Sequence, residues 1–354
     1  MAANGTLPET LAPEKKSINL ALQGGGAHGA FTWGVLDRLL ESEQLDIAAI
    51  SGTSAGAMNA VVLADGMMAG GRQGAQKALA AFWRAVHEAA RLSPYQLLPL
   101  KKMSHSYNLD HLPGFIALDL FSRLMSPYEL NPLDINPLRE VLEKQVDFER
   151  VRSCDKLKLF ISATSVRNGM VKRFDRKQLT ADHIMASACL PFLFKALEVE
   201  GDDYWDGGYA GNPILYPFAY HSEARDIVIV QINPLSCQST PKTAREILNR
   251  VNEITFNSSL LHELRAIEFV ARLLDEGSLD PVRYKKMFIH MISDEKGFAP
   301  LNASSKLNTE WDFLTHLHDL GYNAAEKFLQ EHFACLGDHS SMDVPGTLRG
   351  CMAK

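Results

Sequence analysis

Cysteine is scarce and scattered in this 354-residue sequence. The five residues (Cys154, Cys189, Cys237, Cys335, Cys351) are odd in number and form no C-x-x-C pair. That excludes a disulfide framework, offers no zinc-ligand spacing and reads as free thiols in a reducing compartment. Basic charge is short too: 36 Lys and Arg against 42 Asp and Glu give a formal net charge of −6. A protein built to wrap nucleic acid would show the opposite balance, so none is expected as a partner. No uncharged apolar run approaches the roughly 20 residues of a membrane span. The opening MAANGTLPETLAPEKK has no basic region followed by an apolar run, as a Sec signal would. A cytoplasmic location is expected, with peripheral membrane contact and export without a cleaved signal left open. There is no internal repeat.

What is present is ordinary globular composition, 46% hydrophobic and 22% charged, in a chain long enough to bury roughly 75% of its unfolded surface. INLALQ (18–23) is a candidate buried strand that stops at Gly24-Gly25-Gly26. Phe31, Val35, Leu36, Leu39 and Leu40 then recur at helical spacing, and Gly34 permits close packing. IAAI (47–50) is a second strand, ending in Ser51-Gly52-Thr53, and a small-residue helix begins at about Ala55. Two strand–turn–helix units in succession imply right-handed crossovers and a parallel sheet covered on both faces. The fold class is therefore α/β, three layers (α/β/α) around a mostly parallel sheet.

After a break at Gly70-Gly71 and an Ala-rich helix of about 73–90, residues 93–137 carry six prolines and no clear period. The pattern resumes with a helix from Pro137, a strand at 157–166, a helix capped by Thr180 and ended by Pro191, strands at 226–233 and 285–293 flanking a helix of about 241–275, and a helical tail from about 305.

The strongest chemical signal is Gly52-Thr53-Ser54-Ala55-Gly56. A serine on a sharp turn between a buried strand and a helix projects from the sheet edge, with small neighbours leaving room for substrate. The following helix points its positive end at it. The glycines Gly24, Gly26 and Gly29 also spell the dinucleotide fingerprint G-x-G-x-x-G, which needs an acidic residue at the end of the second strand. Asp46, 22 residues after Gly24, precedes that strand instead. The same N–H-rich turn suits an oxyanion hole. The two strands are expected to be neighbours, with both turns at one sheet edge.

A serine nucleophile needs a base. His221, His262, His290, His316 and His318 come late enough for a Ser…Asp…His order, but none stands in a distinctive turn. His87 and His290 fall within element patterns that suit packing. Asp206, leaving a short aromatic strand in Tyr204-Trp205-Asp206-Gly207-Gly208-Tyr209, is by itself compatible with an ordinary turn.

GGGAHG, GTSAG and DGG in that order, with SACLPFLF (187–194) and YWDGGYAGNP (204–213), resemble the patatin-like phospholipases over roughly residues 17–235. The resemblance implies a serine acyl-ester hydrolase with a Ser–Asp dyad: Ser54 as nucleophile and Asp206 as its direct base. Gly24, Gly25 and Gly26 would supply oxyanion-hole amides with help around Ala55, and Gly29, Gly52, Gly56, Gly207 and Gly208 would be supporting positions. No metal or cofactor is implied. The family often has Arg or Lys where this chain has His28, so positive charge there depends on pH. Phospholipid or another acyl lipid is the implied substrate.

The expected layout is a flexible lead at 1–16 and one acyl-hydrolase domain at 17–335, with 93–137 an inserted cap or lid, a helical part from about 236 and a tail at 336–354. In PGFIALDLFSRLMSPY (113–128), Asp119, Ser122 and Arg123 share one helix face and apolar residues cover the rest. The competing functions are an α/β-hydrolase-type esterase with a Ser-Asp-His triad and a non-catalytic lipid-binding protein.

Overall fold

In the computed structural model of the chain, residues 15–91, 106–110, 112, 114–115, 125–237 and 240–350 are described. Strand β1 (Lys16–Leu22) lies at the middle of an eight-stranded sheet. Its Ile18, Leu20, Ala21 and Leu22 have no exposed surface, as a strand covered on both faces requires. It pairs in parallel with β2 (Leu45–Gly52) on one side and β7 (Asp226–Val230) on the other. β3 (Lys158–Ser165) continues the parallel sheet beyond β2, and β8 (Phe288–Ile292) continues it beyond β7. Beyond β3 the direction reverses: β4 (Val171–Asp175) and β6 (Asp202–Asp206) run antiparallel to it, and β5 (Leu197–Val199) runs antiparallel to β6. The expected neighbouring of the first two strands is observed.

Alternate side chains of these strands feed two separate cores. Leu20, Leu22, Val228 and Val230 pack with helices α1 (Gly29–Glu41) and α2 (Ala55–Arg91). α3 (Pro137–Gln145) and α4 (Ala181–Ser187) add to that side through Leu142 and Ile184. Ala21, Ile227 and Ile229 pack with Leu260 and Leu264 of α5 (Ala244–Asp275). Phe313 and Leu317 of α6 (Trp311–His332) join the first core. The result is helices, sheet, helices: the three-layer α/β/α arrangement read from the sequence.

Gly34 does permit close packing. A side chain there would overlap the His318 carbonyl of α6, and one at Gly321 would overlap the Phe31 carbonyl of α1. The two helices touch backbone to backbone. At Gly70 and Gly71 the backbone leaves helical geometry inside α2, where the glycine pair marks a break. α4 ends at Ser187, short of Pro191.

Residue 16 belongs to β1, pairing with Leu45 of β2, and its ammonium donates to the carbonyls of Phe333 (3.0 Å) and Leu336 (2.7 Å). Beyond residue 336, Val344 and Leu348 of a short helix are buried against the α5 core. Most of the cap segment, including the helix face of Asp119, Ser122 and Arg123, lies outside the described residues. Among the described residues no helix is long and apolar enough to cross a membrane.

Candidate active site

Sheet register sets the stage. Leu22 of β1 pairs with Gly52 of β2, and Gly52 pairs with Ile161 of β3. Two residues further along, the same line passes Gly24, Ser54 and Ala163, and Ala163 is the partner of Asp206. The glycine turn, the serine turn and the end of the antiparallel β6 therefore meet at one level of one sheet edge.

Ser54 has φ +53°, in the left-handed region that a side chain rarely adopts, at a cost of roughly 1–3 kcal/mol. What holds it there is a set of hydrogen bonds around the turn. Its N–H donates to Ser187 Oγ at 2.8 Å. Thr53 Oγ1 lies 2.5 Å from Ser162 Oγ and donates to the Gly211 carbonyl at 2.8 Å. The turn is thereby tied to α4, to β3 and to the loop that follows Asp206. α2 starts at the next residue, Ala55, so its positive end faces the hydroxyl.

Asp206 is 1% exposed. Its backbone N–H donates to the Cys189 carbonyl at 2.8 Å, and its carbonyl accepts from Thr164 Oγ1 at 2.8 Å. Oδ1 accepts from the Gly208 N–H at 2.7 Å. The Ser54 hydroxyl is near enough to act on the carboxyl and lower its pKa, but the pair forms no hydrogen bond of ordinary geometry, and Oδ2 is left buried without a partner. Burial is the larger influence and lifts the carboxyl from its ordinary 3.8 to about 6.

The glycine turn closes over this pair. A Cβ on Gly24 would come within 2.7 Å of Ser54 Cβ and 2.8 Å of the Thr53 carbonyl, so only glycine lets the two turns touch. Its N–H donates to Asn212 Oδ1 at 2.6 Å. That commitment removes Gly24 from the expected trio of free oxyanion donors: the Asn212 side chain already occupies its amide. Gly26 has φ +59° and abuts the Lys306 carbonyl. Among the described residues the N–H groups of Gly25, Gly26 and Ala55 have no protein acceptor. Gly29 packs on Ala55 and Gly52 on Gly56; Gly56 abuts the Leu22 carbonyl, Gly207 the Ser162 carbonyl and Gly208 the Phe256 ring. Each of these glycines is a point of close approach.

Sequence reasoning did not single out Ser187, Ser162, Asn212, Asn233 or Lys306. Ser187 and Asn212 lie inside the SACLPFLF and YWDGGYAGNP segments, which offered a signal. Nothing marked the other three.

Four of the five late histidines have partners elsewhere. His290 Nε2 lies 2.9 Å from Asp226 Oδ1 and its Nδ1 2.9 Å from Ser341 Oγ. Asp226 is the first residue of β7, at the other end of the strands from Ser54. His318 pairs with Asp37 at 2.9 Å, His316 stacks on Tyr107 and His221 sits beside Phe160. Among the described residues none of these five hydrogen-bonds Ser54, and no three His, Cys, Asp or Glu side chains converge as a metal site would need. Asp46 pairs with Ser17 near the start of β2, at the opposite end of the strand from the glycines, so the acidic half of a dinucleotide site is missing. A surface cleft of about 400 Å³ opens beside Lys158, Phe160 and His221 at the start of β3, also away from Ser54.

A family model described as patatin-like phospholipase matches residues 20–218. Among curated protein sequences no relative matches. Among solved structures, VipD from Legionella pneumophila aligns over 91% of this chain and 68% of its own length, at 15% identity and a TM-score of 0.40.

Proposed function

The chain belongs to the patatin-like phospholipase family, and we propose that it is a lipid acyl hydrolase in which Ser54 and Asp206 form the catalytic dyad. The observation that carries the assignment is the meeting, at one sheet edge, of a serine in a strained turn and a buried carboxylate with one unpartnered oxygen.

In the proposed reaction, Oγ of Ser54 attacks the ester carbonyl carbon while its proton passes to Oδ2 of Asp206. The carbonyl π pair moves onto oxygen. That oxyanion is met by the free N–H groups of Gly25 and Gly26, with Ala55 beside them. As the carbonyl re-forms, the bond to the leaving alcohol breaks, and the alcohol takes the proton from Asp206. Water then attacks the acyl-serine, gives its proton to the same carboxylate and releases the fatty acid, the proton returning to Ser54. A solvated aspartate is a weak base toward a hydroxyl; burial makes this one stronger.

The substrate class follows from the family: a phospholipid or another acyl lipid. Peripheral contact with a lipid surface is part of the same proposal. A fluorophosphonate probe tests the nucleophile. Wild-type protein should be labelled at Ser54, and Ser54→Ala should lose both label and turnover of a phospholipid. Turnover unaffected in Ser54→Ala would refute the dyad. Unlabelled, folded wild-type protein without turnover would favour the non-catalytic lipid-binding reading.

A further inference from the structure

The glycine turn adjoins a lysine that the dyad does not account for. At the position where the family often carries a cation, His28 is buried, and burial, with Lys306 nearby, holds its pKa well below 6.5. Its Nε2 is 2.8 Å from Ser305 Oγ, and that hydroxyl donates to the Asn302 carbonyl at 2.7 Å. The hydroxyl must therefore accept from Nε2–H. Nδ1 carries the lone pair and has no partner. His28 is thus a neutral ring that brings no charge to the site.

The residue after Ser305 does bring one. Lys306 lies in the turn Ala303–Leu307, with its carbonyl against Gly26. Its ammonium donates to Asn233 Oδ1 at 2.7 Å, and Asn233 Nδ2 donates in turn to the Gly24 carbonyl at 2.8 Å. The Phe256 ring centroid stands 5.3 Å from it. Among the described residues no carboxylate forms an ion pair with this ammonium. The titratable groups that face it are Glu253 of α5, Asp206 and His28. Glu253 is already bound to Arg250 at 2.9 Å. The Lys306 side chain keeps some accessible surface on the wall of a cavity of about 20 Å³ shared with His28, Glu253 and Asn302, room for about one water. The surroundings of its ammonium are otherwise dense enough to lower its pKa to about 8.

A desolvated ammonium without a paired carboxylate is costly in the resting protein. Negative charge developing at the adjacent Gly25–Gly26 amides would offset that cost, and only during reaction. Resting on the Ser54–Asp206 reading, we infer that Lys306 is the positive charge of the oxyanion site, a positioning residue acting through Asn233 and the glycine turn in place of neutral His28. The His28–Ser305 hydrogen bond fixes the turn that presents it.

Two pH effects follow. Deprotonation of Lys306 gives the rate an alkaline limb near 8. Its charge also holds the Asp206 pKa down, so removing it moves the acid limb upward. The neighbours of Asp206 that feel its charge are Cys189 and Tyr209, both held protonated to about 12, and neither produces a limb in this range.

The test is kcat and KM against pH for a water-soluble short-chain ester, with thermal melts, for wild type, Lys306→Arg, Lys306→Gln and Lys306→Met. Ser54→Ala and Asp206→Asn are run beside them. The neutral variants are expected to lose roughly 10- to 100-fold in kcat with little change in KM, to lose the alkaline limb and to shift the acid limb up. Lys306→Arg should stay within about tenfold of the wild-type rate and lose the limb near 8, because guanidinium does not titrate there. If the neutral variants melt like wild type and keep its rate and both limbs, the inference is wrong. Should they fail to fold, an alkaline limb unchanged in Lys306→Arg overturns it equally. Activity surviving in Ser54→Ala would sink the dyad itself, which is a separate result.

Discussion

Asp206→Asn should abolish the proposed ester hydrolysis and stabilise the fold. The wild-type carboxyl is lifted from 3.8 to about 6 chiefly by burial, and about 1.4 kcal/mol accompanies each tenfold change in acidity. The rise therefore corresponds to roughly 3 kcal/mol. Its sign is fixed by linkage. Below pH 3.8 the carboxyl is protonated in both folded and unfolded chains and contributes nothing. Between 3.8 and about 6 the folded chain keeps a proton that the unfolded chain has lost, so this group's contribution to stability falls as pH rises. Above about 6 the penalty is constant. Asparagine cannot ionise and escapes it, while its carbonyl still accepts from Gly208 N–H. The attraction of Lys306 is already contained in that net rise, so the gain is at most about 3 kcal/mol, and what the unpaired amide N–H2 costs on burial leaves about 1–3 kcal/mol at pH 7.5. Thermal unfolding followed by circular dichroism should put the variant a few degrees above wild type at pH 7.5, with the gap closing toward pH 4. In the same buffers the wild-type rate should fall below an apparent pKa near 6, and the variant should lose turnover by about a thousandfold or more. A variant less stable than wild type at pH 7.5, or a gap that does not vary with pH, would refute the desolvation argument.

Asn212 grips Gly24 from both sides, accepting from its N–H at 2.6 Å and donating to its carbonyl at 3.4 Å. Asn212→Ala should lower kcat about tenfold or more with KM little changed, read in steady-state ester hydrolysis, because it frees the turn to misplace Gly25 and Gly26. Gly34→Ala should destabilise by about 1–3 kcal/mol or more, seen as a lowered urea midpoint, since the added methyl must push α1 off the His318 carbonyl of α6. The Ser54 labelling and the Lys306 pH profiles complete the set.

The parallel half of the sheet was legible because its strands are short apolar runs, the first two ending abruptly in glycine or serine turns. β1 and β2 both have this form, and one residue pattern carries burial and topology at once. β4 and β5 were not anticipated. Val171-Lys172-Arg173-Phe174-Asp175 buries only Phe174 fully, and Leu197-Glu198-Val199 is three residues long, so neither shows a period. Ser54 was legible from its local setting, whereas Asp206 became conspicuous only through the family motif, because one aspartate before two glycines looks like any turn. Its setting is made by β3 and by the Cys189 carbonyl, which no neighbouring residue announces. Lys306 was illegible for a related reason. It lies 252 positions after Ser54, in a polar turn without motif, and meets the glycine turn through its carbonyl at Gly26 and its ammonium on Asn233. The neutrality of His28 also required the fold: sequence left its charge dependent on pH, and burial decided it.

The two unusual acidities at this edge bear on each other. Burial makes Asp206 a stronger base and Lys306 a weaker cation, pushing one up to about 6 and the other down to about 8. The proposed reaction needs the first ionised and the second charged, so it runs in the interval between those values. Deeper burial would narrow the interval from both ends, and full solvation would return Asp206 to a weak base. Two features keep it open: the attraction between the pair, which opposes each displacement, and the residual exposure of Lys306 on its small cavity. Filling that cavity therefore offers an independent check. Ala303→Leu, aimed at its wall, should draw the alkaline limb below 8 by desolvating the ammonium further, with the acid limb moving much less. A limb that stays in place, in a variant shown by xenon or solvent-relaxation measurements to have lost the cavity, would mean that Lys306 does not set it.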